Sequence, residues 1–312
     1  MTIALTFPGQ GSQAVGMGKS LAENFAEARA VFDEVDAALG EKLSAVMWDG
    51  PIETLTLTAN AQPALMAVSL AALRVLEAQG FQVSRAAYVA GHSLGEYSAL
   101  AAAGSLSIGD AARLLRIRGT AMQAAVPVGE GAMAALLGLD FDAAKAVADE
   151  AAEGDVCEAA NDNGPGQVVI SGARAAVERA LDIAKAKGAK RALLLPVSAP
   201  FHCRLMQPAA DVMAEALAKV TINAPVVPLV ANVLAAPVSD PSEIRNRLVE
   251  QVTGMVRWRE SIGWLAANGV DLFAEIGAGK VLSGLAKRIA PEAQTLNVGT
   301  SDDVAAAIER LA

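Results

Sequence analysis

The sequence predicts an α/β fold with a mostly parallel sheet, and three observations favour it. Short apolar segments typical of strands alternate with helical segments, many of them rich in alanine, along the 312 residues. One strand segment, residues 86–90, leads through the turn Gly91-His92-Ser93-Leu94-Gly95 directly into a strong helix former. Hydrophobic residues make up 53% of the chain, which is enough for a large core.

The first third of the chain contains the elements around this turn. They are, in order, a strand over residues 2–7, the loop Pro8-Gly9-Gln10-Gly11-Ser12-Gln13, an apolar helix around residues 63–77, the strand and turn just described, a helix over residues 96–103 that stops at Gly104, and a helix capped by Asp110 that runs to about residue 125.

The middle of the chain has a rhythm of its own. Its predicted elements are a strand over 132–139, a helix over 142–152, strands over 156–160 and 167–171 joined by a turn over 161–166, a helix over 173–186 and a strand over 191–197. This β-α-β-β-α-β order is typical of a ferredoxin-like unit. We assign Asn161 and Asn163 to turn chemistry before Gly164-Pro165, and substrate contact is the alternative.

The last third returns to the first pattern. Helices are predicted near residues 205–219, 242–253 and 279–289, and strands near residues 227–230, 272–276 and 295–298. The chain is therefore predicted to form a large core, α/β-hydrolase-like, from residues 1–126 and 197–312. A small ferredoxin-like subdomain is inserted over residues 127–196.

The composition excludes several functional classes. A net charge of −9 without a Lys/Arg-rich stripe argues against nucleic-acid binding. No apolar run is expected to be long and charge-free enough to span a membrane, and residues 1–7 lack the basic start of a signal peptide. Two cysteines are too few for a disulfide framework, so a reducing cytoplasm is the simplest setting. The presence of only two histidines further disfavours a metal site. Nothing in the sequence demands more than a monomer.

Ser93 is the candidate nucleophile. The flanking glycines let the backbone turn sharply, so the hydroxyl stands at a helix N-terminus, where negative charge is favoured. A serine needs a base within hydrogen-bond reach, and histidine suits this role because its pKa lies near neutrality. His92 adjoins Ser93 where side chains diverge, and we expect it to be structural. His202, in a loop after a predicted strand, is the candidate base; the alternative is a capping or surface histidine.

Helical periodicity places two polar residues on buried faces. Arg118 falls on the apolar stripe of its helix, where a guanidinium is costly unless it meets an anion. It forms either an internal salt bridge or a bidentate clamp on a substrate carboxylate. Gln251 is either a satisfied core amide or, beside His202, the residue whose side-chain carbonyl accepts the imidazole N–H.

The loop Gly9-Gln10-Gly11 after the first strand is suited to present a backbone N–H to a ligand. Together with the N–H of Leu94, the residue after Ser93, it would form an oxyanion hole. The loop does not fit a phosphate site, because neither Lys-Ser/Thr nor Gly-x-Gly-x-x-Gly spacing follows.

Several short motifs along the chain resemble those of the malonyl-CoA:acyl carrier protein transacylases, a family of acyltransferases. They are Phe7-Pro8-Gly9-Gln10-Gly11-Ser12-Gln13, Gly91-His92-Ser93-Leu94-Gly95-Glu96, Arg118-Gly119, Pro200-Phe201-His202-Cys203, Leu248-Val249-Glu250-Gln251 and Gly277-Ala278-Gly279-Lys280-Val281-Leu282. The resemblance covers essentially the whole chain. It is highly specific for acyltransferases, and less specific between a stand-alone enzyme of fatty acid synthesis and a domain of a polyketide synthase.

The resemblance implies a role for each candidate residue. Ser93 would carry the malonyl ester, and His202 would act as general base and then as acid. Gln251 would orient His202 in place of the acid of a triad. Arg118 would pair with the free carboxylate of the malonyl group.

The resemblance also implies the remaining parts of the reaction. The N–H groups of Gln10 and Leu94 would form the oxyanion hole. Malonyl-CoA would be the donor, the phosphopantetheine thiol of acyl carrier protein the acceptor, and no cofactor would be bound permanently. A serine thioesterase or esterase is the rival interpretation. In that class an acidic residue usually lies between the serine and the histidine in chain order.

An acidic carrier protein would need a local basic surface on this acidic chain. Five residues are predicted to supply it: Lys187, Lys190, Arg191, Lys287 and Arg288. An ordinary solvated face is the alternative.

Overall fold

A computed structural model describes residues 1–311 and contains two separate sheets. The strands, in chain order, are β1 (Ile3–Phe7), β2 (Tyr88–Gly91), β3 (Gly131–Leu137), β4 (Cys157–Gly164), β5 (Gln167–Ala173), β6 (Arg191–Leu194), β7 (Leu229–Ala231), β8 (Ala236–Val238), β9 (Leu272–Ile276) and β10 (Gln294–Val298). The larger sheet has the order β10-β9-β1-β2-β7-β8 and is parallel except for the β7–β8 pair. The predicted mostly parallel sheet is confirmed.

Helices cover both faces of this sheet, so its central strand β1 is buried throughout. In chain order the helices are α1 (Lys19–Asn24), α2 (Ala26–Leu39), α3 (Leu43–Asp49), α4 (Ile52–Thr56), α5 (Thr58–Ala78), α6 (Gly95–Ala102), α7 (Ile108–Ala124), α8 (Phe141–Ala152), α9 (Arg174–Ala186), α10 (Gln207–Leu217), α11 (Pro241–Thr253), α12 (Trp258–Ala267), α13 (Val281–Ile289) and α14 (Asp303–Leu311). Leu5 of β1 packs in the core that contains α2, α5 and α7, whereas Ala4 packs in a second core with α12 and α13. Burial on both faces is typical of a parallel strand.

The smaller sheet is antiparallel, with the order β4-β5-β3-β6. Helices α8 and α9 pack together and against this sheet, and their apolar residues form a separate core. The predicted β-α-β-β-α-β unit is confirmed. The exact boundaries of the two units stay a prediction.

Three local predictions about this fold are wrong, and some elements were not predicted. Strand β4 continues to Gly164, so Asn161 and Asn163 lie in a strand; its pairing with β5 is irregular on either side of Asn161, and this residue also forms a parallel bridge with Val256. Strand β6 ends at Leu194, before the predicted limit. Helix α7 is capped by Ser107, whose hydroxyl oxygen accepts from the Asp110 N–H at 3.0 Å. Strand β8 and helices α12 and α14 were not predicted.

Helix α5 is longer than its sequence pattern indicates. It begins at Thr58, five residues before the predicted start, and includes Pro63. The expectation that no apolar run is long enough to span a membrane is also wrong, because this 21-residue helix meets that test by length and composition. In the structure 83% of its apolar window is buried inside the protein. The helix therefore forms part of the core.

Strand β4 links the small sheet to α12 and the segment before it, which pack against the large sheet. The N–H of Val256 donates to the carbonyl of Ala160 at 2.9 Å, and the N–H of Asp162 donates to the carbonyl of Val256 at 3.0 Å. The fully buried Asp162 carboxylate also pairs with Arg259 of α12, with Nη2 2.7 Å from Oδ2. Burial raises the pKa of Asp162, and the Arg259 guanidinium opposes that rise. The edge of the small sheet is thus tied to the large one.

We expect Arg259→Met to destabilise the protein at neutral pH by about 3 kcal/mol, because it leaves a buried carboxylate without its partner. The folded state raises the pKa of Asp162 and so favours its protonated form. The loss should therefore shrink as the pH falls through that raised pKa. Urea unfolding at neutral and at mildly acidic pH measures both effects.

The double variant Arg259→Met/Asp162→Asn is the control, since it removes the charge together with its partner. It should regain most of the stability lost at neutral pH. A loss that is the same at both pH values would contradict the assignment to Asp162.

Candidate active site

Ser93 lies in the sharp turn between β2 and α6, with a φ of +54°. Few residues other than glycine adopt this left-handed conformation, which costs roughly 1–2 kcal/mol. The turn is also crowded. A Cβ on Gly91 would lie 1.9 Å from the carbonyl of Gly95, and a Cβ on Gly95 would lie 2.3 Å from the carbonyl of Phe7. Both glycines are therefore required by space, as the predicted nucleophile elbow demands.

Two side-chain amides hold the backbone of Ser93. Its N–H donates to Oδ1 of Asn232 at 2.8 Å, and its carbonyl accepts from Nε2 of Gln251 at 2.8 Å. Asn232 also donates from Nδ2 to the carbonyl of Gly91 at 2.7 Å. These bonds fix both peptide groups of the strained residue.

His202 is in place to act as the base. Its Nε2 lies 2.7 Å from Oγ of Ser93, and its Nδ1 lies 2.9 Å from the backbone carbonyl of Gln251 and 3.1 Å from that of Gly254. Because carbonyls only accept, Nδ1 carries the proton and Nε2 is free to accept one from Ser93. Burial, with the nearby Arg118 cation, lowers the pKa of His202 to about 3. The imidazole is therefore neutral in the free protein.

The predicted role of the Gln251 side chain is wrong in its detail. The imidazole bonds to the backbone carbonyl of Gln251, and the side-chain carbonyl accepts from Nη2 of Arg118 at 2.7 Å instead. Helical periodicity identified the buried face of α11 correctly, since Gln251 is fully buried. It could not tell which of its two carbonyls faces the histidine.

Arg118 is buried on α7, with 1% of its surface exposed. Its Nη1 donates to Oε1 of Gln62 at 2.8 Å, and its Nη2 lies 3.1 Å from Oγ of Ser93. Among residues 1–311 it forms no ion pair, so the predicted internal salt bridge is not found. Burial lowers its pKa, but a guanidinium remains protonated at neutral pH. It is thus a buried cation with neutral partners beside the nucleophile.

Glu96, in the first turn of α6, is a site residue for which the sequence reasoning gave no role. It is 1% exposed, and its Oε1 accepts from the N–H of Asn232 at 2.6 Å while its Oε2 accepts from Nε2 of Gln251. These two residues are the ones that hold the backbone of Ser93. Burial raises the pKa of Glu96 to about 8, although both hydrogen bonds and Arg118 oppose the rise. The signal that the sequence offered was the single charged residue of α6, which directly follows the Gly91–Gly95 turn.

His92 and Asn163 form a contact between the two sheets. Nε2 of His92 lies 2.8 Å from Oδ1 of Asn163, and the imidazole packs 5.5 Å from the Trp258 ring. Burial lowers the pKa of His92. The ring is held away from the Ser93 hydroxyl, in agreement with the structural role expected for it. Asn163, which was assigned to turn chemistry, instead faces the site.

Ser93, His202 and Arg118 line a cavity of about 460 Å³, together with His92 and Asn163. Its walls come from both sheets: Met133, Asn161 and Val169 belong to the small one. Gln10 and Leu94, the predicted oxyanion pair, also line it. Among residues 1–311 neither of their backbone N–H groups donates to a protein acceptor.

The five predicted docking residues do not line the cavity. Lys187 is paired with Glu150 at 2.6 Å, and the aliphatic part of Lys190 packs against Gly138. The other three, Arg191, Lys287 and Arg288, are exposed.

The chain is similar to known proteins along nearly its whole length. Residues 5–301 match the acyl transferase domain family. The chain is 48% identical to the malonyl CoA-acyl carrier protein transacylase of Bacillus subtilis (strain 168), over 99% of the chain and 97% of the relative. It is 49% identical to the protein of that description in Escherichia coli (strain K12), over 98% of each.

Solved structures give the same picture. The acyl-carrier-protein-S-malonyltransferase of Bartonella henselae superposes with a TM-score of 0.98 at 60% identity, over 100% of this chain and 99% of that one. A malonyl-transacylase solved in complex with its type II polyketide synthase acyl-carrier protein superposes with a TM-score of 0.96 at 43% identity, over 99% and 100%.

We expect Glu96→Gln to slow the acylation of Ser93 by p-nitrophenyl acetate about tenfold or more, because misplacing a reacting group is costly. Both Asn232 and Gln251 donate to Glu96, and a glutamine would present an N–H to one of these donors. The burst of p-nitrophenolate measures the rate. The exposed Glu292→Gln is the control and should match the parent. A parental rate in folded Glu96→Gln would contradict the role of Glu96.

Proposed function

Since this chain belongs to the acyl transferase domain family and is an acyltransferase, we propose that it transfers malonyl groups through an ester on Ser93. Malonyl-CoA is the donor, and the phosphopantetheine thiol of an acyl carrier protein is the acceptor. The observation that carries this proposal is Arg118, a buried cation without a carboxylate partner 3.1 Å from the nucleophile. Such a cation suits an acyl group that ends in a carboxylate.

In the first half-reaction His202 takes the Ser93 proton on Nε2, and Oγ attacks the thioester carbonyl of malonyl-CoA. The tetrahedral intermediate collapses, the C–S bond breaks, and the coenzyme A thiolate takes the proton from His202. The hydrogen bonds from Nδ1 to two backbone carbonyls favour the imidazolium that forms between these steps. They do so without a carboxylate of the kind found in Ser-His-Asp triads.

The N–H groups of Gln10 and Leu94 stabilise the oxygen that becomes negative. Leu94 immediately precedes α6, so the helix dipole adds to the effect. Donors that are already oriented require no reorganisation during the reaction.

Arg118 selects the acyl group. A malonyl carboxylate supplies the anion that the guanidinium lacks, whereas an acetyl group leaves the buried charge unpaired. The hydrogen bonds to Gln62 and Gln251 hold the guanidinium in place without neutralising it.

In the second half-reaction the carrier thiol gives its proton to His202 and attacks the Ser93 ester, so that the malonyl thioester forms and the serine is regenerated. Supply of malonyl units for fatty acid synthesis is the favoured setting, and service to a polyketide synthase is the alternative. Two free, buried cysteines fit the reducing cytoplasm that the sequence predicts.

The direct test is the intact mass of the protein after incubation with malonyl-CoA. We expect one malonyl adduct that is absent from Ser93→Ala and is discharged by a carrier protein with its phosphopantetheine. Release of free malonate without an adduct would favour a thioesterase instead.

We expect Arg118→Ala to lower malonyl transfer roughly a hundredfold, because each lost charge-assisted hydrogen bond contributes about 1.5–3 kcal/mol. Transfer from acetyl-CoA should fall far less, or rise, since that donor has no carboxylate to lose its partner. Arg113→Ala is the matched control, since Arg113 lies on the same helix but pairs with Asp110 at the surface. An equal loss with both donors would contradict the clamp.

We also expect carrier docking to use the basic residues named above. Lys190→Glu and Arg191→Glu should raise the KM for the carrier protein and leave that for malonyl-CoA unchanged. Lys145→Glu, on the exposed face of α8, is the control. Carrier kinetics equal to those of the parent would exclude this surface.

A further inference from the structure

Two polar residues at the start of α5 are buried beside the site, and the proposed mechanism uses neither directly. Thr58 is the first residue of the helix and Gln62 lies one turn later, so both project on the same side. Each is only 1% exposed. Burying a hydroxyl and an amide is costly unless both are hydrogen-bonded, so their partners are informative.

These partners form one continuous chain of hydrogen bonds. Nη1 of Arg118 donates to Oε1 of Gln62 at 2.8 Å, and Nε2 of Gln62 donates to Oγ1 of Thr58 at 2.9 Å. The Thr58 hydroxyl then donates to Oε1 of Gln10 at 2.9 Å. The chain runs from the buried cation to the loop after β1.

The direction of this chain is fixed by the guanidinium. Because Arg118 can only donate, the Gln62 amide must turn its oxygen toward it and its nitrogen toward Thr58. The hydroxyl that accepts from Gln62 must send its own proton onward, and Oε1 of Gln10 receives it. The orientation of the Gln10 side chain thus depends on a charge three hydrogen bonds away.

The packing of α5 against α7 makes the chain possible. A Cβ on Gly119 would lie 2.5 Å from the carbonyl of Thr58, so only a glycine lets the helices approach this closely. The neighbouring Arg118 is thereby brought within reach of Gln62. The close contact serves the site as well as the core.

We propose that Thr58 and Gln62 are positioning residues that couple the carboxylate clamp to the oxyanion hole. They hold Gln10, whose N–H faces the thioester oxygen, and Arg118, which faces the acyl carboxylate. One set of hydrogen bonds therefore aligns both ends of the acyl group. This inference rests on the proposed function, although the hydrogen bond from Thr58 to Gln10 would affect the transfer of any acyl group to Ser93.

The test compares Thr58→Val, which keeps the shape and removes the hydroxyl, with Thr58→Ser, which keeps the hydroxyl. With malonyl-CoA we expect Thr58→Val to lower kcat about tenfold or more, as displacement of an oxyanion donor does, and Thr58→Ser to retain most of the activity. Thr54→Val, on the neighbouring helix α4, is the matched control. Equal melting temperatures would show that each variant folds.

Acylation by p-nitrophenyl acetate separates this inference from the proposed function. That ester needs the oxyanion hole but presents no carboxylate to Arg118, so Thr58→Val should slow it by a similar factor. If the parent fails to transfer malonyl but Thr58→Val still slows this acylation, the proposed function is wrong. The claim that Thr58 positions Gln10 is then still supported. Parental rates with both substrates, or a loss with malonyl-CoA alone, would overturn the inference.

Discussion

The left-handed backbone of Ser93 is the constraint that the surrounding elements satisfy. Its cost of roughly 1–2 kcal/mol is comparable to the net gain from the two hydrogen bonds that hold its peptide groups, at about 1 kcal/mol each. Those bonds come from Asn232, just after β7, and from Gln251 on α11. Asn232, through its backbone N–H, and Gln251, through its side-chain amide, both donate to Glu96 on the helix that the turn begins. Three separate segments, the residue after β7, helix α11 and the turn with α6, therefore converge on the backbone of Ser93.

The same arrangement explains how a cation is kept available in a buried site. A carboxylate in direct contact with Arg118 would neutralise it and compete with an acidic acyl group. Gln251 stands between the guanidinium and the Glu96 carboxyl group instead, because its oxygen accepts from Arg118 and its nitrogen donates to Glu96. Glu96, whose pKa burial raises to about 8, therefore does not touch the guanidinium, and the donors of Arg118 stay accessible.

Features of the site that are local in sequence could be predicted from it. Ser93 was identified by its turn, His202 by the scarcity of histidines, and Arg118 by its place on an apolar stripe. The partners of Glu96 could not be predicted, since they lie 136 and 155 residues away and only the fold brings them together.

The elements of the fold divide in the same way. The alternation of strands and helices was sufficient to predict both sheets. The polar run through Asn161 and Asn163 suggested a turn, yet it forms a strand because its edge pairs with Val256. Tertiary pairing overrides local preference there.

The two units of the fold contribute different residues to the cavity, and this has an evolutionary consequence. The proposed nucleophile, base and carboxylate clamp lie outside the strands and helices of the ferredoxin-like unit, whereas Met133 and Val169 belong to the cavity wall that this unit contributes. Substitutions in that wall can reshape the chamber while the nucleophile and its base keep their supports. Evolution or protein engineering can thus change which acyl chain the cavity accommodates by substituting residues of the ferredoxin-like unit. The residues that support Ser93 and His202 need not change.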